Sequence, residues 1–153
     1  MSSSTILLTG GCGFLGQHVT QYLLDAFPEG RIRIIDLAAN PLAYVDFSGE
    51  PRVETHLGLD IRDLASIQDA FQGVDAVVNL ASVVSPSLRS RDRLEEVNVV
   101  GTRNVLAAAE AAGVDRFVQV SSAAALGYTD DPLTPADESF KFDWSIARAK
   151  NKF

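Results

Sequence analysis

Residues 5–16, TILLTGGCGFLG, constrain this chain more than any other stretch. Ile6, Leu7 and Leu8 form a short apolar run that stops at a cluster of glycines. Phe14, Leu15, Val19, Tyr22, Leu23 and Leu24 then recur at helical spacing, so the stretch reads as a buried strand, a tight turn and a helix. Within the turn, Gly10, Gly13 and Gly16 are spaced G-x-x-G-x-x-G. Gly10 allows a turn that a Cβ makes costly, Gly13 lets backbone N–H groups approach a pyrophosphate, and Gly16 lets the helix lie close on the strand. The first turn of that helix offers N–H groups and the positive end of its dipole to phosphates.

A glycine turn also occurs where nothing binds, so its surroundings have to decide. Twenty residues after Gly16 the run RIRIID ends at Asp36. An acidic side chain at the tip of a second strand accepts hydrogen bonds from adenosine ribose hydroxyls and repels a 2′-phosphate, which favours NAD over NADP. No Lys-Ser or Lys-Thr follows the glycines, which excludes a P-loop.

The 153 residues suffice for one domain with a core, expected over 1–153. At 46% hydrophobic and 22% charged, the composition is that of a globular protein. No apolar run approaches the ~18 residues of a membrane span. The opening MSSST lacks the charged and apolar regions of a signal peptide, so the expected location is cytoplasmic. Cys12, the one cysteine, allows no internal disulfide; inside the turn it reads as a small filler, with a reactive thiol near a helix N-terminus as the alternative. His18 and His56 lack metal-ligand spacing, and no metal is expected. The net charge of -7 argues against a nucleic-acid surface, which needs clustered Lys and Arg.

Further along, strands are expected over 31–36, 53–59, 75–80 and 116–121, with an irregular excursion over 37–51 that holds one short helix around 41–46. Asp63 caps a helix whose buried face is Leu64, Ile67, Ala70 and Phe71, and Gly73 ends it. A Ser-rich loop over 81–90 leaves the carboxyl end of the fourth strand, where open α/β sheets bind ligands. A long helix over 93–112 carries Leu94, Val97, Gly101, Val105, Ala108 and Ala112 on one side, and Gly113 caps it. The alternation fits an α/β fold with a doubly wound parallel sheet of about five strands in the order 3-2-1-4-5. Strand five is then a sheet edge, from which the chain is expected either to form a homodimer or to be marginally stable. Residues 132–142 read as a loop, and 144–153 as the start of a helix inside which the chain is cut.

These residues resemble the extended short-chain dehydrogenase/reductase superfamily. The resemblance runs over the whole chain and rests on TGGCGFLG from Thr9, Asp36, DIRD from Asp60, NLAS from Asn79, VNVVGTRNVL from Val97 and VSSAAALG from Val120, in that order. DLAANP after strand two and the run GVDRFVQVSS are most similar to the 3β-hydroxysteroid dehydrogenase branch, with nucleotide-sugar epimerases and dehydratases next. The resemblance implies an NAD(P)-binding Rossmann fold, here without the substrate-binding part that extended members carry C-terminally. It implies an NAD site built from Gly10, Gly13, Phe14, Leu15, Gly16, Asp36 and Ser121. Asp60 and Ile61 would hold the adenine edge, and Leu80, Ala81 and Ser82 would line the cofactor near the pyrophosphate and nicotinamide ribose. Asn98 would support the site from the long helix, and Ser122 would hydrogen-bond the substrate oxygen.

The superfamily's next element is a Tyr-x-x-x-Lys pair, in which Tyr relays a proton while Lys lowers its pKa and holds the ribose. Lys150 closes that spacing, but the Tyr position is Ile146, which neither donates nor accepts a proton. Tyr128 comes too early to match. The implied function is therefore the NAD(H)-binding half of a 3β-hydroxysteroid dehydrogenase-like oxidoreductase acting on a hydroxyl or keto group of a sterol or similar small molecule. A sterol-like or sugar-nucleotide substrate is expected only where a substrate domain is supplied. Two alternatives stay open: a nucleotide-sugar epimerase or dehydratase fragment, and an inactive NAD-binding pseudoenzyme or interaction module.

Overall fold

The structure, a computed structural model, describes residues 4–38, 46–85, 87–126, 133, 137–143 and 145. Its chain divides into two compact units, Met1–Gln119 and Val120–Phe153.

The first unit is built on five parallel strands, β1 (Thr5–Thr9), β2 (Arg31–Asp36), β3 (Val53–Leu57), β4 (Ala76–Asn79) and β5 (Arg116–Gln119), in the order β3-β2-β1-β4-β5. This is the expected doubly wound sheet. β1 lies at its centre, with Leu8 opposite Ile34 on β2 and Val78 on β4. A strand buried on both faces must be apolar throughout, as Leu7 and Leu8 are. Three strands end earlier than the sequence suggests. β3 stops at Leu57 because Gly58 takes a left-handed φ of +76°. β4 and β5 stop at Asn79 and Gln119, the last residues paired across the sheet once β1 ends at Thr9.

Helix α1 (Phe14–Ala26) lies on one face, over Leu8, Ile32 and Ile34. Its buried side is Gly16, Gln17, Thr20 and Leu24 rather than the full apolar set read from spacing; Phe14, Leu15 and Tyr22 are exposed. The polar members of that side are satisfied locally, Gln17 Nε2 donating to the Cys12 carbonyl at 2.8 Å and Thr20 Oγ1 to the Gly16 carbonyl at 2.9 Å.

The other face carries α2 (Leu64–Ile67), extended by a 3₁₀ turn over Gln68–Phe71, and a second helical run. Asp63 caps α2 by accepting from the Ala65 N–H, and Ile67, Ala70 and Phe71 are buried, while Leu64 is exposed. The helix expected over 93–112 is not continuous. It comprises α3 (Arg91–Glu95), a π-helical stretch over Glu96–Gly101, and α4 (Thr102–Ala111), ending at Gly113 with φ +71°. Val105, Ala108 and Ala109 on α4 pack with Leu7, Ile35 and Val77, each fully buried large side chain contributing roughly 1.5–3 kcal/mol.

In the second unit, α5 covers Ala123–Leu126. Asp137 and Asp143 each accept from the N–H two residues on, forming Asx turns with Ser139 and Ser145. The short helix expected around 41–46 falls on residues outside those described, except Asp46.

Candidate functional site

At the carboxyl ends of β1, β2 and β4 lies a cleft of about 400 Å³, within the range of small-molecule sites. The backbone leaves β1 through Gly10 at φ +67°. A Cβ on Gly10 would stand 2.9 Å from Ala81 Cα, so the turn approaches the exit of β4 only because the side chain is absent. Gly16 is equally constrained, since its Cβ would meet Gly10 O and Gly11 Cα at 2.5 Å. Gly13 is the N-cap of α1, with no side chain bonded over the first turn. The positive end of α1 therefore faces the cleft, whose wall includes Gly13, Phe14, Leu15 and Gly16. Gly11, which the spacing pattern treats as an arbitrary position, is a third constrained glycine. A Cβ there would lie 2.6 Å from Ile34 Cγ2.

Asp36 ends β2 half-buried at the cleft. Its Oδ2 accepts from the Cys12 N–H and its Oδ1 from the Ala38 N–H, both at 2.9 Å. Two backbone donors thus fix the carboxylate, and each oxygen keeps lone-pair capacity for ribose hydroxyls.

Asp60 and Ile61 line the same cleft. The Asp60 carboxylate is engaged by Arg62, with Nη2 donating to Oδ2 at 2.6 Å and Nε at 2.9 Å, and Arg62 Nη1 also reaches Glu96 at 3.2 Å. The Arg62 hydrogen bonds hold the Asp60 carboxyl below the usual carboxylate range, and the same pairing raises the guanidinium. Ile61 is 7% exposed and supports the π-helical stretch, where a Cβ on Gly101 would come within 2.6 Å of Ile61 Cδ1. Asn104 Nδ2 donates to the carbonyls of Ile61 and Arg62 at 2.9 and 2.8 Å, tying that turn to α4.

The run Leu80, Ala81 and Ser82 forms the opposite wall. Thr9, fully buried, organises it: its hydroxyl donates to Asn79 Oδ1 and accepts from the N–H groups of Leu80 and Ala81 at 3.1 and 3.0 Å. Asn98 clamps the next peptide from the π-helical stretch, Oδ1 accepting from Val83 N–H at 2.8 Å and Nδ2 donating to Val83 O at 2.9 Å. Asn98 does not line the cleft itself; it positions the loop that does.

The structure thus brings together the candidates of the glycine turn, Asp36, Asp60, Ile61 and the 80–82 run. Ser121 and Ser122 belong to the second unit, just ahead of α5. Lys150, Ile146 and Tyr128 lie outside the described residues. Sequence reading missed Thr9, Gly11, Arg62, Gly101 and Asn104, each of which holds a wall of the cleft through a partner distant in sequence. Cys12 is buried at 4% exposure, and burial, followed by the Asp36 carboxylate, pushes its thiol up to about 11. Among the described residues no group of His, Cys, Asp and Glu could hold a metal ion.

The model of the 3-beta hydroxysteroid dehydrogenase/isomerase family matches residues 7–153. This chain belongs to that family. It is 36% identical over 123 residues to 3 beta-hydroxysteroid dehydrogenase type 7 of Homo sapiens, covering 79% of this chain and 33% of the human protein. Among solved structures it is similar to an NAD-bound short-chain dehydrogenase/reductase superfamily protein from Agrobacterium tumefaciens, at 32% identity and a TM-score of 0.71, covering 95% of this chain and 42% of the other. It is also similar to the dTDP-glucose 4,6-dehydratase DesIV from Streptomyces venezuelae, solved with NAD and TYD bound, at 34% identity and a TM-score of 0.73, covering 95% and 48%. The chain thus spans less than half the length of each of these three proteins.

Proposed function

We propose that residues 1–153 form a dinucleotide-binding domain that supplies the NAD(H) site of a 3β-hydroxysteroid dehydrogenase-like oxidoreductase, acting on a hydroxyl or keto group of a sterol or similar small molecule. The observation that carries this is Asp36, held by two backbone N–H groups beside a glycine turn that closes on Ala81. The turn and the α1 N-terminus take the pyrophosphate, Asp36 takes the adenosine ribose hydroxyls, and the 60–62 turn borders the adenine. NAD(H), when bound, supplies hydride exchange with a carbinol or carbonyl carbon of the substrate. Ser122 would hold the substrate oxygen, and Lys150 the nicotinamide ribose.

A titration of NAD and NADP by calorimetry tests the reading. NAD should bind at least about tenfold more tightly, because one close unit-charge repulsion at an effective dielectric of ~20 is worth several kcal/mol before screening. Equal affinities would remove the specificity, and binding of neither would remove the function.

Ile146 at the proton-relay position favours a second reading, a dinucleotide-binding module without dehydrogenase turnover of its own. The likeness to a sugar-nucleotide dehydratase keeps that substrate class beside sterols. A cytoplasmic location and a homodimer belong to the same proposal. Among the described residues no helix is long and apolar enough to cross a membrane.

A further inference from the structure

The cleft is lined by two arginines whose situations differ. Arg62 is neutralised by Asp60 and Glu96. Arg93, on α3, has no ion pair or side-chain hydrogen bond among the described residues. It shares the cleft wall with Gly10, Gly13 and Gly16 of the glycine turn. Arg93 precedes Val97 by one helical turn, and both line the cleft. Next to Val97, Asn98 grips the Val83 peptide, and two residues before Val83 the backbone of Ala81 abuts Gly10.

Charge around the cleft is unbalanced toward the acidic side. Asp36, Asp60 and Glu96 contribute three negative charges against two positive ones, from Arg62 and Arg93, before any ligand arrives, and Arg62 is engaged by Asp60 and Glu96. A pyrophosphate adds two more negative charges, while a helix N-terminus supplies only about half a positive charge. A guanidinium with no partner among the described residues, and a fork that matches phosphate oxygens, is suited to close that gap.

We propose that Arg93 is the counter-charge for the dinucleotide's pyrophosphate, a specificity residue for diphosphate-bearing ligands. The proposal rests on the dinucleotide reading of the cleft and adds to it a residue outside the glycine turn.

The test titrates NAD, ADP and adenosine into the wild-type chain, Arg93→Gln and Arg93→Lys, with thermal melts to confirm equal folding. Arg93→Gln should weaken NAD and ADP about tenfold and leave adenosine unchanged, and Arg93→Lys should recover most of the loss. The wild-type affinity for ADP should also fall more steeply with added salt than that of Arg93→Gln. Unchanged NAD affinity in Arg93→Gln overturns the proposal while leaving the dinucleotide reading standing. An equal loss for adenosine overturns it too, since that would place the guanidinium on the base. Failure of the wild-type chain to bind either NAD or ADP overturns both.

Discussion

Cys12 sits in the middle of the phosphate-binding turn, and its chemistry follows from what surrounds it. Its backbone N–H is committed to Asp36, and its side chain is buried against Leu8, Leu24, Ile32 and Ile34. With the thiol pushed from 9.0 to about 11, almost no thiolate exists near neutral pH, so this is a packing residue and not a nucleophile. The sign of the linkage is definite. A group whose folded pKa is raised gives its full stabilisation below the unfolded pKa and loses it as pH climbs through the folded one. The shift from 9.0 to about 11 corresponds, at ~1.4 kcal/mol per unit, to a loss on the order of 2–3 kcal/mol across that window. Denaturant melts between pH 8 and 11 should therefore show wild type losing more stability than Cys12→Ala, and parallel profiles would refute the burial argument. At this scale the sequence was partly legible. Gly10 and Gly16 announce themselves because a known spacing requires them, whereas Gly11 is constrained by Ile34 on another strand, and no local pattern encodes that.

Among elements, the run from Arg91 to Ala111 departs most from its sequence reading. The helical spacing of Leu94, Val97, Gly101 and Val105 along one side suggests one regular helix, yet the middle third is π-helical, as often happens where a helix serves a site. The widened turn places Asn98 on the Val83 peptide and the bare Cα of Gly101 against Ile61. Both partners arrive from other segments, so hydrophobic periodicity, which reports only the buried face, carries no trace of the irregularity. Gly101→Ala separates propensity from packing. In an ordinary helix interior Ala is favoured over Gly by roughly 0.5–1 kcal/mol. Here its Cβ would stand 2.6 and 2.7 Å from Ile61 Cδ1 and Cγ1, so Ile61 must shift at the cleft it lines. The variant should lose stability rather than gain it and should bind NAD about tenfold more weakly. Adding Ile61→Ala removes both clashing atoms, so a calorimetric double-mutant cycle should show the two substitutions coupled. Additive effects would mean that the helix and the adenine-side turn do not communicate.

For the whole molecule, topology was the most legible level, because buried parallel strands, glycine stops and right-handed crossovers leave few arrangements open. The order β3-β2-β1-β4-β5 puts β5 at one edge of the sheet. Among the described residues β5 pairs only with β4, and Val118 is 54% exposed. Such an edge presents N–H and C=O groups over Arg116–Val118 that a second copy can pair with. Its charge works the other way, since a net -7 repels like copies and the repulsion fades as salt screens it. Edge pairing should therefore appear as a monomer–dimer equilibrium that shifts toward dimer with protein concentration and with salt. Size-exclusion with light scattering across both variables measures it. Val118→Lys puts a solvated charge on the edge in the way edge strands are commonly blunted, and should return the chain to monomer without lowering its melting temperature. A monomer at every concentration and salt would show that this edge does not recruit a second copy.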